Sequence, residues 1–417
     1  MYIERISLTN FRSFGPTEES IALSSNVTAC VGGNGSGKTA LMHALLRMFG
    51  VTADQRRVRR HDFHVPADEA DAPHQRKLSI ETVLAFPELA AGKQTQAVPE
   101  FFNQMAADDQ GTLRARLRLE ATWTDDNSVD GVVETRLFAV KTFEPNFKEE
   151  DCVDIRAHDR ARIQVIYVPA VRDAASHLSA FLRGRLWRAI AWSEPVRTAL
   201  GDAGEQLNDA FADEPAVGLI AKRLETRWRE VHTAATDAIP TFRPVDVRLP
   251  EFIRKVDVVF TPDEAGRDRS LEDLSDGQRS LFHVAMTAAT LDVEADLAAG
   301  AAKGFQPGGV SLPALTILTV EEPENTLSPF FLSRIIHQIL DLTSGSRAQA
   351  IISSHSASIL ARVDASEVRY FRLDATTRTS RVRGITLPVG QEEAAKFVRE
   401  AVQTYPELYF ANCCRAA

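Results

Sequence analysis

The 417-residue chain is poor in cysteine and in long apolar or repetitive runs, and its 48 Lys and Arg are outnumbered by 57 Asp and Glu. Its four cysteines, Cys30, Cys152, Cys413 and Cys414, have neither the spacing of a disulfide framework nor a C-x-x-C metal pattern. Cys30 lies in an apolar segment and reads as core; the adjacent pair at 413–414 reads as a flexible terminus. No apolar run approaches the ~18 residues that span a bilayer. The opening MYIERISLTNF alternates polar and apolar residues, unlike the basic-then-apolar layout of a signal peptide. A cytoplasmic protein with no membrane partner is therefore expected. The net charge of −9 argues against a surface coated in basic residues for non-specific nucleic-acid binding, but leaves room for a local basic groove. No internal repeat is visible, and no stretch sustains the three or four heptads of a long coiled coil. Hydrophobic content of 44% and charged content of 25% are ordinary for a soluble protein of two or three domains.

What the chain does contain is a phosphate site. VTACV (27–31) reads as a short buried strand, followed by GGNGSGKT and then the helical pattern ALMHALLRMFG. Strand, G-x-x-x-x-G-K-[ST], helix is the context of a P-loop. Gly32, Gly33, Asn34, Gly35, Ser36 and Gly37 would wrap the phosphates with backbone N–H groups. Lys38 would reach the β- and γ-phosphates, and the Thr39 hydroxyl would bind Mg²⁺. By average residue usage the bare pattern arises in on the order of 1% of chains this long, and its flanks make it more specific. ATP and Mg²⁺ are the expected cofactors.

Further along, LPALTILTVEEPENTLSP (312–329) opens with an apolar, β-branched run that fits a buried parallel strand. Two carboxylates emerge at its carboxyl end, where open α/β sheets place their ligands. Successive strand residues face opposite ways, so different roles are expected: Glu321 in the metal shell, Glu322 polarising the attacking water. QAIISSHSASIL (349–360) gives another short strand ending at His355, placed to sense or hold a γ-phosphate. A lone histidine is more often a satisfied surface or core residue; the order of the elements favours the functional reading here.

LSDGQRS (274–280) has the form of a helix start. Ser275 caps it and Gln278 reaches back, an S-x-x-Q capping box. Exposed N–H groups and the positive end of the dipole make such a start a second anion site.

P-loop, LSDGQ, strand with EEP and strand with SH, in that order, resemble the ATP-binding-cassette ATPases, in the DNA-metabolism branch with RecF and the SMC proteins. Together with ISLTNFRSF (6–14), VEEPENTLSP and ISSHSASIL, they are similar to the OLD (overcoming lysogenization defect) family, which joins such an ATPase to a Toprim nuclease. The resemblance implies an α/β P-loop NTPase of ABC type, two-lobed, with an antiparallel β-rich lobe and a helical insertion. It implies that Arg12 and Ser13 lie near the nucleotide. It also implies that Ser275 and Gly277 of one subunit bind the γ-phosphate held on the other, so that a homodimer closes around two ATPs. The implied function is an ATPase controlling DNA processing by a nuclease domain or partner, in anti-phage defence. The alternative is a RecF-like repair ATPase acting as a DNA clamp without a nuclease. Ser328 departs from the family, which often has histidine before the proline; Asp62 lies about where the Gln-loop glutamine belongs. After His355 there is no L-V-E-G-like strand end and no D-x-D, while PELYFAN is similar to the lead-in to a Toprim domain. No nuclease activity is expected of this chain alone.

Four segments are expected: 1–170, an ATPase lobe with P-loop and β-rich subdomain; 171–240, a helical insertion; 241–390, a lobe with signature, carboxylates and His355; and 391–417, a helix and tail. Segments 77–86, 112–123 and 132–142 alternate as half-exposed antiparallel strands, and RIQVIYVPA (162–170) as a buried one. Two basic clusters are candidate DNA contacts: Arg56 to Arg60, and Arg183, Arg185 and Arg188 interleaved with Trp187 and Trp192. For each, a solvated helix face is the competing reading.

Overall fold

The structure is a computed structural model. It describes residues 1–70, 73–90, 101–169, 187, 189–231, 242, 252, 256, 258–261, 266, 268–306, 312–324, 329–345, 347–385, 390 and 392–407. In chain order the strands are β1 (Tyr2–Thr9), β2 (Glu19–Ala22), β3 (Val27–Gly32), β4 (Gln75–Ala85), β5 (Met105–Ala107), β6 (Leu113–Thr124), β7 (Val132–Val140) and β8 (Cys152–Asp154). They continue as β9 (Ile163–Val168), β10 (Val259–Phe260), β11 (Arg269–Ser270), β12 (Leu315–Glu321), β13 (Ala348–Ser354), β14 (Val368–Leu373) and β15 (Ser380–Gly384). The longer helices are α1 (Lys38–Phe49), α2 (Glu194–Asp213), α3 (Pro215–Val231), α4 (Asp276–Ala298), α5 (Pro329–Thr343) and α6 (Glu392–Thr404).

Two compact units divide the chain: Met1–Ala174 with Ser275–Ala295 and Leu312–Ala417, and Ala175–Leu274 with Asp296–Ser311. This differs from the expected segments, because 1–170 and most of 241–390 share one unit. The reason is the sheet order β15-β14-β3-β13-β12-β9, which interleaves strands from both segments. From β14 to β9 the neighbours run parallel; only β15 is antiparallel. β3 and β13 are buried at every residue and β12 at all but its last, as strands covered on both faces must be.

The second sheet of this unit is antiparallel, in the order β2-β1-β4-β6-β7-β8 with β5 also on β6. β6 alternates buried and half-buried residues over its second half, as expected of a half-exposed strand. β4 does not: its last six residues are buried, so the half-exposed reading fails there. One apolar core joins this sheet to the P-loop helix and the parallel sheet, through residues such as Ile6, Leu84, Leu119, Leu41, Leu45, Ile317 and Ile351.

The two sheets are also stitched by a polar bridge. β1 pairs with β2 only from Arg5 to Leu8, so Ile3 has no partner on that strand, although it pairs with Leu84 of β4. Gln349, fully buried on β13, accepts from Ile3 N–H at 3.0 Å and donates to the carbonyls of Ile3 (2.9 Å) and Ser24 (2.8 Å). Both ends of one amide are used, and three backbone groups are satisfied, the two of Ile3 in buried bonds and that of Ser24 in a part-buried one.

In the other unit, α2 and α3 are helices on the segment expected to be helical, and β10 pairs with β11. Trp187 and Trp192 stack there with ring centroids 6.3 Å apart.

Replacing Gln349 by leucine keeps the volume but strands the three backbone groups. At about 1–3 kcal/mol per orphaned buried group, a loss of about 3 kcal/mol is expected. Urea unfolding should show a lower midpoint at unchanged slope; a shift below about 0.5 kcal/mol, the scale of a neutral surface change, would remove the bridge from the account of how the sheets join.

Candidate functional site

The P-loop leaves β3 at Gly32, where a Cβ would stand 2.1 Å from the Phe371 carbonyl of the paired strand β14. Gly37, at φ +104°, has no such room either: a Cβ would lie 2.4 Å from Ser380 Oγ and 3.1 Å from Ser13 Oγ. Ser13 and Ser380 are themselves bonded, hydroxyl to hydroxyl at 2.7 Å and Ser380 N–H to Ser13 carbonyl at 2.7 Å. Ser13 is thus a wall of the loop. Lys38 is 4% exposed and donates to the carbonyls of Gly32 (2.8 Å) and Gly33 (2.9 Å). Burial pulls its ammonium below the usual lysine range, opposed by the charges of Glu322, Glu324 and Glu321 among others.

Parallel pairing carries the other groups to the same edge. Glu321 closes β12; one carboxylate oxygen accepts from Thr39 Oγ1 and the other from Tyr167 Oη at 2.6 Å. A hydroxyl beside a carboxylate at a P-loop is a hard-oxygen pair that suits Mg²⁺, which keeps most of its shell for water and phosphate. Glu322 lies one residue past the strand, at φ +42°, with its N–H bonded to the Ser353 carbonyl at 3.0 Å. Its direction is set by this left-handed turn and not by strand alternation. The carboxylate stands 3.9 Å from Lys38 Nζ and 3.6 Å from His355 Nδ1. Lys38, Thr39, Glu321, Glu322 and His355 therefore meet in one cluster.

Three contributors were not foreseen. Tyr167, from β9 beside β12, holds Glu321; burial first, and then the Glu321 charge, push its hydroxyl well above the usual tyrosine range. His43 on α1 packs edge-on against Tyr167 at 5.7 Å, and burial with the Arg12 and Arg47 charges lowers it to about 4, so it is neutral at pH 7. Glu324 accepts from Ser354 Oγ (2.6 Å) and from the N–H groups of His355 (2.9 Å) and Ser356 (3.3 Å). Glu324 stands in plain view in EEPEN; Tyr167 and His43 carry no motif.

Arg12 sits at φ +51°, its N–H bonded to the Asp62 carbonyl (2.8 Å) and its Nε to the Asp62 carboxylate (2.8 Å). Asp62 is fully buried and also takes Arg47 Nε at 2.7 Å. Its carboxylate is spent on two arginines, which gives it an anchoring job in place of the Gln-loop role. Arg12 is held on this anchor; His64 Nδ1 lies 2.7 Å from its carbonyl.

Ser275 and Gln278 form the capping box at the start of α4: Ser275 N–H donates to Gln278 Oε1 (3.1 Å) and Gln278 N–H to Ser275 Oγ (3.3 Å). Gly277 is buried in the first turn. Among the described residues no hydrogen bond of Ser275 or Gln278 reaches the P-loop. Arg183, Arg185, Arg188 and Ser328 lie outside the described residues. Of the first basic cluster, Arg57, Arg59 and Arg60 line a cleft of 470 Å³ with His61 and Asp130. Arg60 lies over the Trp123 ring at 5.0 Å, and Arg59 is paired with Asp54.

This architecture is an α/β P-loop fold. A family model described as "AAA domain, putative AbiEii toxin, Type IV TA system" matches residues 101–361, and another described as "AAA ATPase domain" matches residues 1–150. The first match covers more than half of the chain, so the chain belongs to that family of AAA ATPase domains. No curated protein matches it. Similar solved structures include an SMC head domain from Thermotoga maritima (13% identity, TM-score 0.41, covering 93% of this chain and 100% of that one). An SmcHead bound to the C-winged helix domain of ScpA gives 14% identity and TM-score 0.45, covering 93% and 99%. A third is an Smc head with an extended coiled coil, bound to the C-terminal domain of ScpA derived from Pyrococcus furiosus (15%, 0.47, 96% and 99%). No helix among the described residues is long and apolar enough to cross a membrane.

Asparagine at position 62 would leave Arg12 and Arg47 without their counter-charge. Removing one partner of a buried ion pair typically costs about 3–5 kcal/mol. Burial raises the Asp62 pKa, but the Arg47 bond, the two arginine charges and the Arg59 N–H together hold it below 3.8. A depressed folded pKa stabilises above the unfolded value and is lost as pH falls through the folded one. The wild type should therefore lose stability below about pH 3.8 more steeply than Asp62→Asn, measured by denaturation at stepped pH; parallel curves would refute the anchor.

Proposed function

We propose that the chain hydrolyses ATP as an ABC-type module that dimerises around two nucleotides and controls DNA processing by a Toprim-type nuclease domain or partner, in the manner of the OLD family. The observation that carries this reading is the meeting of Lys38, Glu322 and His355 at one sheet edge, beside the Thr39–Glu321 oxygen pair. Lys38 would release its loop carbonyls to neutralise β- and γ-phosphate charge. Glu322, 3.9 Å from that ammonium, would accept the proton of the attacking water. His355, whose Nδ1 lies 3.6 Å from the Glu322 carboxylate, would contact the γ-phosphate. Mg²⁺, held by Thr39 and Glu321, would supply charge neutralisation across the phosphates. Gly32 to Gly37 would give the N–H cradle, with Ser13 as its wall and Arg12 beside it.

Composite sites explain why one chain carries two anion-binding helix starts. Ser275 and Gln278, whose side-chain hydrogen bonds among the described residues stay within the helix start, would with Gly277 complete the site on a second copy. DNA contact would fall to Arg183, Arg185 and Arg188 and to the Arg57–Arg60 cleft. The toxin named in the family description suits a defence setting.

The test is ATP turnover and solution mass of the wild type, Lys38→Ala, Glu322→Gln and Ser275→Arg, with and without duplex DNA. Glu322→Gln should turn over about 10²–10⁴-fold more slowly, the usual worth of a general base, and accumulate as an ATP-bound dimer. Lys38→Ala should lose a similar factor, and Ser275→Arg should lose both dimer and turnover. Normal hydrolysis by Ser275→Arg would sink the composite site.

Tyr167→Phe probes the metal side. Losing a partner of a metal-binding carboxylate typically costs about 10–100-fold in metal affinity. The Mg²⁺ concentration for half-maximal turnover should rise by about that factor, with turnover at saturating Mg²⁺ largely retained. An unchanged Mg²⁺ dependence would show that Tyr167 only fills space.

A further inference from the structure

Resting on the ATPase reading above, we propose that Glu324 is the positioning residue for His355, fixing the backbone from which its imidazole reaches. One oxygen, Oε1, accepts three donors from three successive residues: Ser354 Oγ at 2.6 Å, His355 N–H at 2.9 Å and Ser356 N–H at 3.3 Å. Bonds to an ionised acceptor are roughly twice as strong as neutral ones, so this is a firm clamp on the end of β13. The Glu324 side chain is 12% exposed, and its Oε2 is buried without a hydrogen-bond partner.

The imidazole is treated differently. Its Nδ1 lies 3.4 Å from Glu324 Oε1 and 3.6 Å from Glu322 Oε2, both too long for a well-formed bond, and its side chain is 41% exposed. The backbone is gripped while the ring is left unengaged beside Glu322. A side chain that must meet a ligand needs this combination: an anchored Cα and an uncommitted tip. Glu324 belongs to the turn that also carries Glu322, so the clamp ties histidine and carboxylate into one piece.

A carboxylate that merely caps a turn would stabilise the fold without affecting His355, and the two roles separate by experiment. Glu324→Gln keeps an amide oxygen that accepts the same three bonds; Glu324→Ala removes it. Glu324→Ala should lower kcat by about 10–100-fold, the scale of a roughly 1 Å misplacement, with KM for ATP near wild type. Glu324→Gln should stay within a few fold. In a His355→Ala background, Glu324→Ala should cost nothing further. Without nucleotide, the imidazole NMR signals of His355 should shift in Glu324→Ala and hold in Glu324→Gln. Additive losses in the double variant, an unaltered kcat in Glu324→Ala, or unmoved His355 signals would each overturn the proposal. Should Glu324→Ala fail to fold, Ser354→Ala removes one of the three bonds and should shift the same signals; no shift overturns it. If wild type turns over no ATP, the ATPase reading falls, while the NMR comparison still decides whether Glu324 places His355.

Discussion

The parallel register of β3, β13 and β12 is the constraint on which the candidate site depends. Pairing Val31 with Ser354, and Ser353 with Glu321, brings the carboxyl ends of three strands level. The P-loop, His355 and the two carboxylates then emerge side by side although they are far apart in sequence. These strands are buried along their length, and a one-residue slip would move every side chain to the other face. The hydrogen-bonded register of buried strands thereby decides which charged groups stand side by side at their ends.

Charge is the second theme, because the site takes ionised groups out of water. Lys38 is compensated by its own loop carbonyls and by nearby carboxylates, and Asp62 by two arginines and a backbone N–H. Leaving any of these unpaired would cost several kcal/mol, so each ion is bound into a local network. Arg12 and the loop around it are held by such a network and not by apolar packing alone. The opposite arrangement holds at His355, where only the backbone is committed. The difference separates groups that support the site from one that can act in it.

Motifs whose chemistry is local were legible from residues alone. GGNGSGKT between a strand and a helix and the S-x-x-Q capping box each depend on neighbours in sequence, and each has the local form that its residues dictate. Contributors that act across strands left no such mark. Tyr167 reaches Glu321 only because β9 lies next to β12, His43 meets Tyr167 across helix and sheet, and Gln349 finds Ile3 where β1 runs past its pairing with β2. Glu322 showed a subtler failure: strand alternation assigned its direction, but the strand ends one residue earlier and a left-handed turn takes over.

The sequence by itself determined the α/β P-loop class and the candidate phosphate loop, which follow from residue type at short spacing, and the order of its motifs singled out the carboxylates and the histidine as candidates. Only the tertiary structure decided that β3, β9, β12, β13 and β14 form one sheet across segments that looked like separate lobes. It also decided that Asp62 is an anchor, and that Glu324 grips the strand end bearing His355. These are long-range pairings. Their partners are chosen by burial and hydrogen-bond satisfaction in the folded chain, and no local pattern encodes which of many carboxylates or amides will be nearest.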